Sequence, residues 1–318
     1  MFLRLESALD RLATYSQSDV KRIPTGLSVV DRLVGGPAPG ELCCIVGRSY
    51  TGKSMIAQNI IVNNPKIPSI FFSQEMSDVQ CLIRMYSIQN ATEASALQHA
   101  VERGQLPDDL YSLAEQFPVH AIVDTAGIGF DYMTQMMNAY RTEFEVQPRF
   151  VVLDYLELMS TEGDGEPSVA VKEKFVRLRQ WAKEQAVAVF VVHQGNKESK
   201  VWEPPTEDGA RYAGFTEADI YLGVWRPHLN PEASSADRNF YSNKLKINVL
   251  KNRPFGYTKP DGFLFTISPS LRLLEGDMLP YVDRLQLSGG DESPLGGPSQ
   301  PSNVVYLHQQ EADHDTIF

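Results

Sequence analysis

Residues 46–60, VGRSYTGKSMIAQNI, contain glycines, a lysine and a serine at a spacing suited to holding phosphate groups. The pattern is G-x-x-x-x-G-K-[ST]: the backbone N–H groups of such a loop wrap the phosphates, its lysine reaches the terminal ones, and its serine can hold Mg²⁺. The stretch therefore predicts a site for ATP, or another nucleoside triphosphate, together with Mg²⁺. The predicted nucleotide-binding residues are Gly47, Arg48, Ser49, Tyr50, Thr51, Gly52, Lys53 and Ser54.

A second metal ligand is expected at the end of an apolar strand, and FVVLD ends in Asp154. A carboxylate in that place can be aimed at the metal held by Ser54. The alternative is an aspartate that caps a helix or forms a turn. Because a phosphate-binding loop lies upstream, we favour the metal role.

Two further polar residues end apolar segments. Glu75 ends the apolar segment SIFFSQE. Ligands bind at the carboxyl ends of strands in open α/β sheets, so Glu75 is a candidate general base for an attacking water. It could equally be a helix cap. Gln194 ends VAVFVVHQ and could sense the terminal phosphate or begin a loop. No Cys or second His lies at metal-ligand spacing from His193, so we interpret His193 as structural.

INVLKNRPFG, residues 247–256, contains two cations two positions apart, Lys251 and Arg253. Side chains repeat every two residues in a strand, so both would lie on one face. One interpretation is a solvated strand edge, where Lys opposes aggregation. The other is a positive prong that reaches a phosphate held by a neighbouring subunit.

The elements that must position these residues alternate between apolar strands and helices, including strands in ELCCIVG, VHAIVDT and GFLFTIS. This order predicts an α/β fold with a mostly parallel sheet flanked by helices. Residues 92–117 are predicted helical. Phe2, Leu5, Leu9 and Leu12 form an apolar stripe on a short helix over residues 2–13, and YSQSDVKRIPTG is predicted to be a linker.

Composition limits the function classes. The 318-residue chain carries a formal net charge of −11, so any DNA contact must be a local basic patch. Five of the excess negative charges lie beyond Gly289, in a segment whose composition predicts disorder. Three cysteines indicate no disulfide framework, and Glu6 and Asp10 argue against a signal peptide. Since no apolar run has membrane-spanning length, we expect no membrane contact. The cysteines are typical of small buried strand residues in a reducing compartment, so we expect a cytoplasmic location.

Several segments, in order and at similar spacing, resemble the motor domain of DnaB-type hexameric replicative helicases. They are IPTGLSVVDRLVGGPAPGELCCIVGRSYTGKS, FFSQEMSDVQCLIRM, VVLDYLELM, VVHQ and LKNRPFG, within residues 20–275. The resemblance implies a RecA-like P-loop core and a hexameric ring that hydrolyses ATP and moves 5′ to 3′ on single-stranded DNA in replication.

The resemblance also implies residue roles. Glu75 would be the general base, Asp154 a metal ligand and Gln194 the glutamine switch. Lys251 and Arg253 would act on the nucleotide of the adjacent subunit. Arg48 matches an arginine common in that family's loop, whereas Tyr50 stands where a small residue or Pro is more usual.

Resemblance and composition together predict three parts. The resemblance indicates a docking helix in 1–20, at the position of the family's linker helix, and a motor domain in 21–288, and the composition indicates a disordered acidic tail in 289–318. The family's N-terminal domain has no counterpart, which suits a viral or mobile-element replication system. The segment expected to face DNA offers only three cations, Lys197, Lys200 and Arg211. Several acidic residues lie in the same segment.

The last residues, EADHDTIF, resemble the acidic tips of single-stranded-DNA-binding proteins. They predict either a solubilising tail or an anchor for a replication partner, with Phe318 entering a pocket. Two functions other than a helicase stay open. One is a RecA-like recombinase or recombination mediator, and the other is a nucleotide-gated loader or scaffold.

Overall fold

A nine-stranded sheet forms the centre of the protein in a computed structural model, which describes residues 4–17, 21–160, 167–195, 199–207 and 214–276. The strand order is β3-β2-β4-β5-β1-β6-β7-β8-β9, with the first six strands parallel and the last three antiparallel. The strands are β1 (Leu42–Gly47), β2 (Ser69–Ser73), β3 (His120–Asp124), β4 (Phe150–Asp154), β5 (Ala188–Gln194), β6 (Ile220–Trp225), β7 (Lys244–Asn252), β8 (Lys259–Ile267) and β9 (Leu273–Glu275).

Helices cover both faces of the sheet. The helices of the described chain are α1 (Leu5–Gln17), α2 (Ser28–Val34), α3 (Lys53–Asn63), α4 (Asp78–Asn90), α5 (Ala94–Glu102), α6 (Ser112–Gln116), α7 (Phe130–Phe144), α8 (Pro167–Gln185) and α9 (Ser235–Phe240). Of these, α2, α3 and α4 lie on one face of the sheet and α7 and α8 on the other. The predicted α/β fold with a mostly parallel, helix-flanked sheet is confirmed.

The hydrophobic core consists of two layers, because successive strand side chains point to opposite faces. Phe71 packs with buried residues of α2, α3 and α4 on one face, whereas Phe72 packs with those of α7 and α8 on the other. Burial on both faces explains why the central strands are almost continuously apolar in sequence.

Two predictions of local structure were wrong. The opening helix runs to Gln17, so residues 15–17 are helical rather than part of the linker. Residues 92–117 do not form one helical stretch: α5 ends at Glu102, and a turn-rich connection precedes α6. The predicted tail from Gly289 lies outside the described residues. Within them, no helix is both long and apolar enough to cross a membrane.

Candidate nucleotide site

A cavity of about 520 Å³ opens at the carboxyl edge of the parallel strands. The ends of β1, β2, β4 and β5 meet there, since parallel strands all end at the same edge of a sheet. We call it the nucleotide cavity. Its polar lining includes most of the residues predicted to act on a nucleotide, namely Ser49, Tyr50, Gly52, Lys53, Ser54, Glu75, Asp154 and Gln194.

The loop between β1 and α3 has the backbone geometry that its glycines predict. A side chain at Gly47 would place its Cβ 2.6 Å from the Val224 carbonyl oxygen, so only glycine fits against β6. Gly52 has φ +100° immediately before α3 begins at Lys53, and this conformation favours glycine. The N-terminus of α3 therefore opens into the cavity, where backbone N–H groups attract anions.

Lys53 lies inside this loop. Its Nζ donates a hydrogen bond to the Arg48 carbonyl oxygen at 2.9 Å, and Thr51 Oγ1 donates to the same oxygen at 2.8 Å. Burial lowers the pKa of Lys53, although nearby acids, Glu157 first among them, act in the opposite direction. The ammonium is thus held in place beside the position where phosphates would enter.

Asp154 is fully buried at the end of β4, and neither of its carboxylate oxygens has a hydrogen-bond partner among the described residues. Burial raises its pKa to about 6, while the Ser54 hydroxyl acts in the opposite direction. An unpartnered buried carboxylate is costly unless a ligand pairs with it. The donor set of one carboxylate and one hydroxyl, with room for water and phosphate oxygens, fits Mg²⁺. Asp154 does not cap the short 3-10 turn that follows, which has no side-chain cap.

Glu75 lies just beyond β2, exposed and facing the cavity. The helix-cap alternative for Glu75 is wrong, because Ser77 caps α4 through a reciprocal pair of hydrogen bonds with Gln80. The Glu75 carboxylate is therefore free of a structural role in that cap.

Gln194 connects the end of β5 to the phosphate loop. Its side-chain Nε2 donates to Ser49 Oγ at 2.5 Å, and its backbone N–H donates to Glu157 Oε1 at 2.6 Å. His193 is buried, lies edge-on to Phe175 and has Nδ1 2.8 Å from the same Glu157 oxygen. This environment agrees with a structural role for His193.

Sequence reasoning missed two residues near this cavity. Arg84 of α4 lines the cavity beside Gln80, four residues earlier and one helical turn away on the same face. The Ser77 cap places Gln80 in the first turn of α4, and the i, i+4 spacing from Gln80 was the signal that could have found Arg84. Glu157, which joins His193 and Gln194, lies in a 3-10 turn that no sequence pattern predicted.

Lys251 and Arg253 lie at the opposite edge of the parallel strands, where these strands begin. Asn252 pairs with Ile220, which pairs with Cys43 near the start of β1. The phosphate loop begins at Gly47, four residues after Cys43 and roughly 13 Å from it at the usual rise per strand residue. This cation pair, as we call Lys251 and Arg253, therefore lies far from the nucleotide cavity of its own chain. Arg253 follows β7 rather than lying within it, because β7 ends at Asn252.

The segment predicted to face DNA is only partly described. Lys200 is exposed, pairs with Glu203 at 2.9 Å and has its Nζ 5.7 Å from the Trp202 ring centroid. Lys197 and Arg211 lie outside the described residues.

The fold and the loop define a P-loop protein with an α/β core. The chain belongs to the DnaB-like helicase C terminal domain family, which matches residues 22–259. The resemblance found in the sequence is thereby confirmed. Membership of this family implies that the chain uses a nucleotide.

Individual relatives agree with this assignment. The chain is 27% identical over 251 residues to the replicative DNA helicase DnaB of Leifsonia xyli, covering 72% of this chain and 53% of that protein. The chain spans about half the length, or less, of the curated relatives it matches.

Two solved structures share the fold. The ATPase domain of G40P superposes with a TM-score of 0.71 at 18% identity, covering 87% of this chain and all of that domain. A DnaB-like replicative helicase, determined for its interactions with primase, gives a TM-score of 0.69 at 19% identity over 85% of this chain and 68% of that one.

Proposed function

We propose that the chain is the motor part of an ATP-dependent DNA helicase that works as a ring of identical subunits, with six expected, in a replication system of the cytoplasm. One observation carries the proposal: one edge of the sheet gathers the residues predicted to hold and hydrolyse a nucleotide, and the other edge presents the cation pair. Neither edge completes a hydrolytic site by itself. Two copies placed edge to edge would do so.

Within the nucleotide cavity, the proposed roles follow from position. The loop N–H groups and Lys53 bind the phosphates, and Glu75 is exposed to a water approaching the terminal phosphate, which it would polarise as a general base. Ser54 and Asp154 would hold Mg²⁺, which when bound offsets the negative charge of the phosphates. Gln194, through Ser49, would report the state of the terminal phosphate to the chain beyond β5.

The neighbouring subunit would supply the cation pair. Arg253 keeps 48% of its side chain exposed, so part of its guanidinium can meet the phosphates of a second copy. Arginines supplied in this way stabilise the charge that develops in phosphoryl transfer. Lys251 would support the same phosphates from the next position on that face.

The opening helix would hold the subunits together. Leu5, Leu9 and Leu12 of α1 are all more than half exposed. An apolar groove of about 420 Å³ between α4, α5 and α6 includes the exposed Leu82 and Leu106. An amphipathic helix fits such a groove. We propose that α1 of one subunit docks in the groove of the next.

Strand displacement on forked DNA tests the proposal. With ATP and Mg²⁺, the protein is expected to unwind a fork that offers a free 5′ loading arm and not one that offers only a free 3′ arm. Unwinding from neither arm, with hydrolysis that DNA stimulates, would contradict the helicase and favour a recombinase. Lys53→Ala serves as the control without nucleotide binding.

A nucleotide-gated loader or scaffold is the second candidate, and one observation favours it. Lys200, in the segment expected to meet DNA, is already paired with Glu203, which lowers its value as a phosphate contact. Rings that bind ATP but neither hydrolyse it faster with DNA nor unwind a fork would support this candidate. The acidic tail, as a site for a replication partner, is tested by removing residues 311–318 and repeating partner recovery.

A further inference from the structure

Asp219, the residue before β6, is shared by two arginines. Its side chain is only 4% exposed, and Oδ1 accepts hydrogen bonds from Arg179 Nη2 at 2.9 Å and Arg253 Nη1 at 3.0 Å. Its other oxygen, Oδ2, accepts from the Leu42 backbone N–H at 3.1 Å. The carboxylate is therefore anchored to β1 and satisfied on both oxygens.

Arg253 is attached to this residue in more than one way. Its backbone N–H donates to the Asp219 carbonyl oxygen at 2.8 Å, and Nη2 donates to the Thr216 carbonyl oxygen at 3.2 Å. Lys251 Nζ donates to the carbonyl oxygens of Thr216 and Phe215. The turn over residues 214–219 thus holds both members of the cation pair in fixed positions.

Arg179 gives the cluster its charge balance. It lies on α8 and reaches the turn before β6, where its Nη1 also donates a hydrogen bond to the Glu217 carbonyl oxygen. A single carboxylate between two guanidinium groups leaves one positive charge in excess. Arg179 offsets the negative charge of the Asp219 carboxylate. Asp219 can therefore orient Arg253 without cancelling the attraction between its guanidinium and a phosphate.

We infer that Asp219, held by Arg179, is the positioning residue for Arg253, and that it fixes the guanidinium where a neighbouring subunit's nucleotide will meet it. The inference rests on the proposed action of Arg253 in trans. Catalytic groups must be held within a fraction of an ångström, and a misplacement of about 1 Å can cost about 100-fold in rate.

A double-mutant cycle on ATP hydrolysis tests this role. Asp219→Asn keeps the size of the side chain and an acceptor for Leu42, but it weakens the charged pairing with Arg253. The turnover number is expected to fall about 10- to 100-fold. The KM for ATP should stay unchanged, because the loop that binds ATP lies at the other edge. The double variant with Arg253→Ala should be no slower than Arg253→Ala alone.

Asp261→Asn is the matched control, since Asp261 forms an exposed ion pair with Lys259 away from this cluster. It should hydrolyse ATP at the normal rate. If Asp219→Asn fails to fold, Arg179→Met, which keeps an aliphatic stem, takes its place in the same cycle.

The outcomes separate the inference from the function on which it rests. Losses that multiply in the double variant, or a normal rate in Asp219→Asn, would overturn the positioning role. A normal rate in Arg253→Ala itself would instead overturn the proposed action in trans. The inference is supported if Asp219→Asn lowers turnover at constant KM and adds no further loss to that of Arg253→Ala in the double variant.

Discussion

The two edges of the parallel strands differ in whether their buried carboxylates have hydrogen-bond partners. At the carboxyl edge, Asp154 is buried with no hydrogen-bond partner in the described part of the chain, and Glu75 faces an open cavity. At the other edge, Asp219 satisfies two arginines and a backbone N–H. The first edge is arranged to receive a ligand, whereas the second is arranged to present a fixed cation.

This difference favours hydrolysis by a ring of subunits over hydrolysis by a single chain. The cation pair begins about 13 Å from the phosphate loop along the strands, and rigid hydrogen bonds keep it there. No side-chain rotation closes that gap. In the proposed ring, Arg253 would therefore meet the nucleotide of a second copy.

The largest effect is expected from Arg253→Ala. Removing the charge that meets the developing phosphate charge should slow hydrolysis by about 10³-fold or more. Nucleotide binding should change little, since the binding loop belongs to the other edge. Steady-state hydrolysis and nucleotide titration measure the two quantities, with Lys259→Ala as a control cation on β8. Weakened binding at a normal turnover number would show that Arg253 binds the nucleotide rather than acts in its hydrolysis.

Glu75→Gln should follow, with hydrolysis slowed by about 10²- to 10⁴-fold. The amide keeps the shape of the side chain but cannot accept a proton from water. Single-turnover measurement with bound ATP isolates this step. Glu93→Gln, at the start of α5, is the control. A normal single-turnover rate would show that Glu75 does not act on water.

Asp154 predicts an unusual dependence of stability on pH. Its pKa is raised from 3.8 to about 6 in the fold, so the folded protein binds a proton more tightly than the unfolded one. The free energy of unfolding without nucleotide should therefore fall as pH rises from about 4 to about 6, by about 3 kcal/mol from this group.

Asp154→Asn should remove that slope and stabilise the ligand-free protein at pH 7, while abolishing stabilisation by ATP with Mg²⁺. Urea unfolding across this pH range is the measurement. An unchanged slope in Asp154→Asn would mean that another group is responsible.

The smallest effect concerns assembly. Leu9→Asp, on the exposed face of α1, should weaken association between subunits by roughly 2 kcal/mol, or about 30-fold, the cost of losing one buried leucine. Sedimentation at several protein concentrations measures it. Glu6→Gln on the same helix should leave association unchanged. Equal assembly in both variants would argue that α1 does not dock in the groove.

The fold and the nucleotide loop were predictable from sequence because both depend on local patterns. Continuous apolar strands alternate with helices, and the loop residues from Gly47 to Ser54 are consecutive. Strand ends supplied Glu75, Asp154 and Gln194, since parallel strands bring their carboxyl ends to one edge.

The Asp219 cluster could not be predicted in this way. Arg179 lies on α8, Asp219 precedes β6 and Arg253 follows β7. They are separated by 40 and 34 positions, and no spacing rule connects them. Glu157 is similar, because its partners on β5, His193 and Gln194, lie 36 and 37 positions away. Such contacts follow from strand order, which the sequence pattern alone leaves undetermined.

Mixing two inactive variants tests whether each hydrolytic site is shared by two chains. Lys53→Ala loses its own nucleotide site but keeps Arg253, whereas Arg253→Ala keeps the site and loses the cation. An equal mixture, allowed to exchange subunits, should regain up to about a quarter of normal hydrolysis, the fraction of random interfaces with both groups intact. No recovery in mixed rings would contradict the account.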